Sequence, residues 1–145
     1  MNKIIVFCLA LVLLASSVSA ADFGLRGGLT LSPDQVHVGG HMDMGQVLPP
    51  MRLVPNVEIG FGNDVTMICF NGDLIYDFAD SPFGIGGELG LNYADVSNAG
   101  SNTDLGMSVL GNYRLGMKNG HNMLLEAKIG LLDSPDFKFT VGYSL

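Results

Sequence analysis

The sequence predicts an all-β protein, an eight-stranded antiparallel up-and-down transmembrane β-barrel preceded by a cleavable signal peptide. Three observations lead to this prediction. Of the 145 residues, 48% are hydrophobic and only 14% are charged. No segment has the eighteen or more consecutive apolar residues of a transmembrane helix. Apolar and polar residues instead alternate with a period of two, which is typical of strands whose two faces meet different surroundings.

Residues 1–20 have the pattern of a secretory signal peptide, which leaves residues 21–145 as the barrel domain. Lys3 is followed by an apolar run from Ile4 to Ala15, and Val18-Ser19-Ala20 is a small-x-small cleavage site. The exported part keeps all 14 acidic residues but only six of the seven basic ones, because Lys3 is removed. This acidic balance argues against a nucleic-acid partner.

Eight alternating segments follow, each roughly nine to eleven residues long, the length that a tilted strand needs to cross a bilayer. They are residues 23–31, 36–44, 52–61, 67–78, 83–93, 105–115, 122–131 and 137–145. Turn residues separate most of them, among them Ser32-Pro33-Asp34 and Lys118-Asn119-Gly120. A loop is expected over residues 94–103, and Pro55 predicts a bulge or a late start in the third strand. An even number of strands allows the last strand to pair with the first.

The volume of the apolar face predicts that this face points outward. All eleven aromatic residues after position 20 lie on it, together with Leu, Ile, Val and Met residues that include Met44. The interior of eight strands is too narrow for about forty such side chains. The opposite face is rich in Gly and carries charges of both signs, which we expect to pair inside the lumen. The predicted lumen charge network is Arg26, Asp43, Arg52, Glu58, Asp73, Asp77, Glu88, Arg114, Glu126, Lys128 and Lys138.

This pattern resembles the small outer-membrane barrels of the OmpX and OmpA transmembrane-domain type. The most specific element is the final segment, Phe137 to Leu145, which alternates up to its end. In that family the last strand is read by the barrel-assembly machinery and normally ends in an aromatic residue, whereas here Leu145 follows Tyr143 by two positions. The resemblance implies the outer membrane of a Gram-negative bacterium, both termini in the periplasm, and contact with outer-membrane lipids and lipopolysaccharide. We expect a monomer.

The expected role is structural or surface-interacting, with a lumen filled by polar and charged side chains. Two alternatives stay open, a narrow channel for ions or small solutes and a secreted soluble barrel that binds an apolar ligand. No enzyme is expected, because no nucleophile and base lie together in the sequence. Lipid A-modifying activity is not excluded. No cofactor is expected. No metal is expected either, since His37 and His41 lie about 13 Å apart along one strand and cannot both bind the same ion. Cys69 is expected to be a small lumen filler.

Overall fold

The computed structural model describes residues 21–117 and 119–145, and it contains nine strands. The predicted signal peptide, residues 1–20, lies outside the described residues. No helix in the described part of the chain is long and apolar enough to cross a membrane. The strands are β1 (Asp22–Leu31), β2 (Gln35–Asp43), β3 (Gln46–Leu48), β4 (Met51–Phe61), β5 (Val65–Asp77), β6 (Phe83–Val96), β7 (Gly100–Gly116), β8 (Asn122–Leu132) and β9 (Phe137–Ser144).

The strands form one closed antiparallel sheet. Pairs run in sequence order from β4 to β9, β9 pairs with β1, β1 with β2, and β2 with β4. The short β3 continues the course of β2 along β4, so the nine elements make eight barrel strands. The predicted eight-stranded up-and-down barrel is confirmed. We call the end where β1 starts and β9 stops the near end, and the opposite end the far end.

The ladder is interrupted between β2 and β3, not within β4. Met44 and Gly45 both lie opposite Leu53, whose carbonyl accepts from Met44 at 3.0 Å and whose amide donates to Gly45 at 3.3 Å. Two residues facing one are a β-bulge, and Gly45 adopts the positive φ of 67° that it requires. The predicted bulge or late start at Pro55 is therefore wrong for β4, which keeps its register with β5 and places Pro55 opposite Gly72.

The position of the bulge follows from the direction of the hydrogen bonds. Residues two apart in an antiparallel strand bond to the same neighbour. The Leu53 amide points toward β2 and β3, so an amide at position 55 would point to the same side. Pro55 has no amide N–H, and the hydrogen bond that it cannot make is therefore one to β2, beside the bulge. The bulge turns Met44 inward, where it is only 3% exposed, so its predicted place on the outer face is wrong.

The predicted loop over residues 94–103 is also wrong, because most of it is strand. β6 continues to Val96 and β7 begins at Gly100, so the turn contains only three residues. Asn98 and Gly100 adopt φ angles of 68° and 90°, which a tight turn needs and which Asn and Gly tolerate. β7 pairs with β8 only from Met107 onward. Among the residues that the structure describes, the edge of β7 from Gly100 to Leu105 thus has no strand beside it on the β8 side, and we call it the open β7 edge.

The two faces of the barrel have opposite character. Leu25 and Leu105 on the outer face are 67% and 61% exposed, whereas Arg26 and Lys128 inside are 4% and 1% exposed. Inward glycines allow strands to approach closely. A Cβ built on Gly39 would lie 2.0 Å from the Val57 carbonyl oxygen. The lumen also contains apolar residues, namely Met44, Val54, Met67, Cys69, Ile75, Leu110 and Leu124.

Substituting an inward glycine should destabilise the barrel, whereas substituting an outward one should not. Gly39→Ala forces the β2 and β4 backbones apart, and we expect it to lower the free energy of unfolding by about 1–3 kcal/mol. Gly111→Ala is the matched control, because a Cβ at Gly111 meets no atom within 4 Å. Urea unfolding in detergent micelles, followed by gel mobility without boiling, measures both. Equal midpoints for the two variants would contradict the close approach at Gly39.

Candidate functional site

The lumen near its middle is organised around the Lys128 ammonium group. This group, on β8, contacts both oxygens of Asp73 on β5 at 2.9 Å and one oxygen of Glu126 at 3.1 Å. It also donates a hydrogen bond to Glu88 on β6. Glu88 accepts a second bond, of 3.3 Å, from the Ser108 hydroxyl. One cation thus joins carboxylates from three strands, and its side chain is only 2% exposed.

Arg26 and Lys138 complete this group from the other side of the lumen. The Arg26 guanidinium on β1 contacts Glu58 at 2.9 Å and Asp73 at 3.6 Å, and it donates to Glu126. Lys138 on β9 donates to the second oxygen of Glu58. Alternation places these side chains inside, and closure of the ring brings strands that are distant in sequence within contact. We call Arg26, Glu58, Asp73, Glu88, Glu126, Lys128 and Lys138 the central cluster.

A second, separate group of charges lies at the near end. Arg52 on β4 binds Asp77 through two nitrogens, at 3.0 and 3.1 Å, and binds Asp43 at 2.7 Å. Bidentate contact of this kind fixes both distance and orientation. Arg114 on β7 lies 3.7 Å from Asp77, and its side chain is 39% exposed. Asp43, Arg52, Asp77 and Arg114 form the near-end cluster.

An apolar layer lies between the two clusters. Val54, Ile75 and Leu110 pack together in the lumen, each 4% exposed or less. Along β5 the inward order is Asp73, Ile75 and Asp77, so the layer sits directly between members of the two clusters. The eleven charges that the sequence predicts as one network are therefore two groups, and no ion pair joins them in the described part of the chain.

Neutral polar side chains form hydrogen bonds at several other inward positions, and of these residues the sequence prediction considered only His37, as a metal ligand. Asn71 donates to Asn56, and Asn56 donates to Asp73, both at 3.0 Å. His37 bridges Thr30 and Thr140, at 2.9 and 3.0 Å. Their inward places in the alternation could have revealed them, but their partners lie on strands whose relative stagger the sequence does not specify.

The lumen toward the far end contains a small cavity that is nearly filled by the side chains around it. A cavity of about 10 Å³ is lined by His37, Glu58, Met67 and Lys138, among others, and it is close to the smallest volume that holds one water molecule. Cys69 lies buried beside this cavity as a free thiol. No group of three or more metal-ligating side chains occurs among the described residues. The larger concavities lie mainly among apolar residues of the outer face, such as Leu74, Ile85 and Leu89.

No family model matches the chain, and no curated protein matches it. Two solved structures are similar to it. The crystal structure of Neisserial surface protein A (NspA) is similar with a TM-score of 0.58 and 17% identity, over 86% of this chain and 93% of that chain. The outer membrane protein Ail of Yersinia pestis, determined in a phospholipid bilayer nanodisc, is similar with a TM-score of 0.55 and 6% identity, over 86% and 98% of the two chains. The chain has the fold of the small outer-membrane β-barrels. At these identities the likeness concerns the fold alone.

Within this outer-membrane barrel fold, removing the Lys128 cation that three carboxylates share should strongly destabilise the folded protein. Lys128→Met keeps the length of the side chain but leaves Asp73, Glu88 and Glu126 without their common partner. We expect a loss of about 3–5 kcal/mol in the free energy of unfolding, the usual cost of breaking a buried ion pair from one side. Urea unfolding near neutral pH measures it.

The matched control is Arg114→Met, which removes a half-exposed cation 3.7 Å from its partner. We expect it to cost less than about 1 kcal/mol. A Lys128→Met protein as stable as Arg114→Met would show that the central cluster contributes little to stability.

Proposed function

We propose that the protein is an integral β-barrel of the bacterial outer membrane. The reversed polarity of the barrel carries this proposal. Phe23 and Leu29 on the outer face are 61% and 57% exposed, whereas Asp73 and Glu126 inside are 0% and 1% exposed. A soluble barrel exposes its polar face to water, so its outer and inner residues would be exchanged. Strands closed into a ring also satisfy their backbone groups without water, as a bilayer requires.

The path to the membrane is part of the same proposal. Residues 1–20 would direct export and be removed, and β9, which ends at Ser144 beside Leu145, would present the strand that the assembly machinery reads. Both ends of the described barrel lie at the near end, where the Leu145 amide donates to the Phe23 carbonyl at 2.8 Å. The near end would then face the periplasm. A single closed ring needs no second copy, and we propose a monomer surrounded by outer-membrane lipid and lipopolysaccharide.

The filled lumen favours a non-conducting barrel over a narrow channel. A continuous ion path needs polar groups along its whole length, and the layer of Val54, Ile75 and Leu110 interrupts them. Every carboxylate of the central cluster also binds a cation from another strand, which makes these groups structural supports. We propose neither a channel nor an enzyme.

A surface-interaction role is supported by the open β7 edge. This edge continues for six residues past the pairing with β8, about 20 Å along the strand. Its residues, Gly100 to Leu105, contain no Lys, Arg or Pro, the residues that commonly protect an exposed edge. Unpaired backbone groups there can add an extended segment of another protein as a further strand. We propose that a protein ligand docks on this edge outside the cell.

An arginine in the outer belt should separate a membrane barrel from a soluble one. Val109 lies on the outer face, where β7 is paired on both sides, and it is 44% exposed. In lipid vesicles, Val109→Arg should lower the free energy of unfolding by about 2–4 kcal/mol. Val96→Arg, at the tip of the β6–β7 hairpin, is the control and should cost almost nothing. Equal, small effects in vesicles would contradict the membrane proposal.

Hydrogen exchange should detect strand addition on the open β7 edge. The probe is a soluble peptide of alternating valine and lysine, because aspartates such as Asp95 and Asp104 make the far end acidic. We expect the peptide to slow amide exchange in residues 100–105 and to leave β8 unchanged. The control peptide carries N-methyl groups along one edge and cannot complete the ladder. Equal protection by both peptides would show that charge attraction, not strand addition, is responsible.

A further inference from the structure

The central cluster has one acid more than it has bases. Its cations are Arg26, Lys128 and Lys138, three in number, and its carboxylates are Glu58, Asp73, Glu88 and Glu126, four in number. All seven side chains are at most 7% exposed. The near-end cluster, in contrast, is balanced, with Arg52 and Arg114 against Asp43 and Asp77. A buried charge without an opposite charge is costly, so the excess calls for compensation.

Several buried side-chain atoms in the described part of the chain lack a hydrogen-bond partner, and those of Glu126 and Asn112 belong to residues that lie directly opposite each other. Glu126 directs one oxygen, Oε1, at both Arg26 and Lys128, while its other oxygen, Oε2, is buried without a hydrogen-bond partner in the described part of the chain. Asn112 lies directly opposite Glu126 in the β7–β8 register. Its side chain is buried, the residue being 4% exposed, and neither its Oδ1 nor its Nδ2 has a partner among the described residues.

We propose that the central cluster binds one additional positive charge at Glu126 Oε2, beside the Asn112 side chain. Two sources supply the same charge. A proton from water, added to Oε2, gives a neutral carboxyl whose O–H donates to Asn112 Oδ1. An alkali ion would instead be bound by Glu126 Oε2 and Asn112 Oδ1. In either case the cluster becomes neutral.

The charged and titratable groups inside the lumen around Glu126 come from seven strands. They are Arg26 on β1, His37 and His41 on β2, Glu58 on β4, Cys69 and Asp73 on β5, Glu88 on β6, Lys128 on β8 and Lys138 on β9, whereas β7 contributes the neutral Ser108 and Asn112. The two histidines bond to hydroxyl groups, His37 to Thr30 and Thr140 and His41 to Ser144. Neither histidine belongs to an ion pair in the described residues, so the compensating charge is placed on the carboxylate.

The test compares two amide substitutions that remove one negative charge each. Glu126→Gln keeps Oε1 for Arg26 and Lys128 and places an N–H donor at the unpartnered Oε2 position, on the residue opposite Asn112. It should therefore fold with the same urea midpoint as the original protein. Glu58→Gln is the matched control, because each oxygen of Glu58 lies against a cation: Oε1 is 2.9 Å from Arg26 Nε and Oε2 accepts from Lys138, so an amide nitrogen at either position would face a positive charge. It should lower the ratio of folded to unfolded protein by ~100-fold or more.

Infrared spectra of the full protein in neutral detergent micelles, at about pH 8, then identify the source of the charge. At that pH, carboxyl groups in water are ionised and histidines are neutral. A protonated-carboxyl band that disappears in Glu126→Gln identifies a proton. Without such a band, a midpoint that falls when sodium and potassium are replaced by a bulky organic cation, in the original protein but not in Glu126→Gln, identifies an alkali ion.

Two results would overturn the proposal. One is a Glu126→Gln protein that is as destabilised as Glu58→Gln or fails to fold, since the charge at Glu126 would then be needed. The other is the absence of both the infrared band and the alkali-ion dependence, since no compensating charge would then be bound.

Discussion

The pairing of β1 with β9 is the constraint on which the rest of the structure depends. It closes the sheet, so the backbone groups of the barrel, apart from those of the open β7 edge, bond to one another and need neither water nor a further strand. Side chains alone then decide which surroundings each face can meet. Eight strands also leave a lumen only wide enough for side chains. Charged side chains that alternation places inside are therefore buried away from water, and they pair with opposite charges on other strands across the lumen.

These partners are distant in sequence, and this makes the ion pairs dependent on closure. Arg26 and Glu126 are 100 positions apart, and Lys138 and Glu58 are 80 apart. Such pairs cross-link β1 with β8 and β4 with β9, which no local hairpin does. Their net contribution to stability is limited, because desolvation of both charges offsets much of the attraction. Their larger effect is on register, since a shift by one residue would turn each charge into the apolar outer face.

The sequence predicts the barrel well because alternation is a local property, and one period of two assigns nearly every side chain to its face. The prediction fails at residues whose polarity does not match the face on which the alternation places them. Val54, Ile75, Leu110 and Leu124 are apolar yet point inward, and no face was predicted for them. The loop prediction at residues 94–103 failed because Ser, Asn and Gly suggested a turn, whereas pairing with β6 holds them in a strand. The division into two clusters depends on strand stagger, which single strands do not encode.

The apolar layer also explains why the charge excess of the central cluster matters. Near the open end, ions from solution can screen an unbalanced group, and the exposed side chain of Arg114 shows that water reaches the near-end cluster. Behind Val54, Ile75 and Leu110 such screening is weaker, because these packed apolar side chains stand between the charges and the near-end opening. The proposed charge at Glu126 supplies, within the barrel, the one positive charge that the central cluster lacks. The layer that interrupts a conducting path thus also separates Asp73 of the central cluster from Asp77 of the near-end cluster.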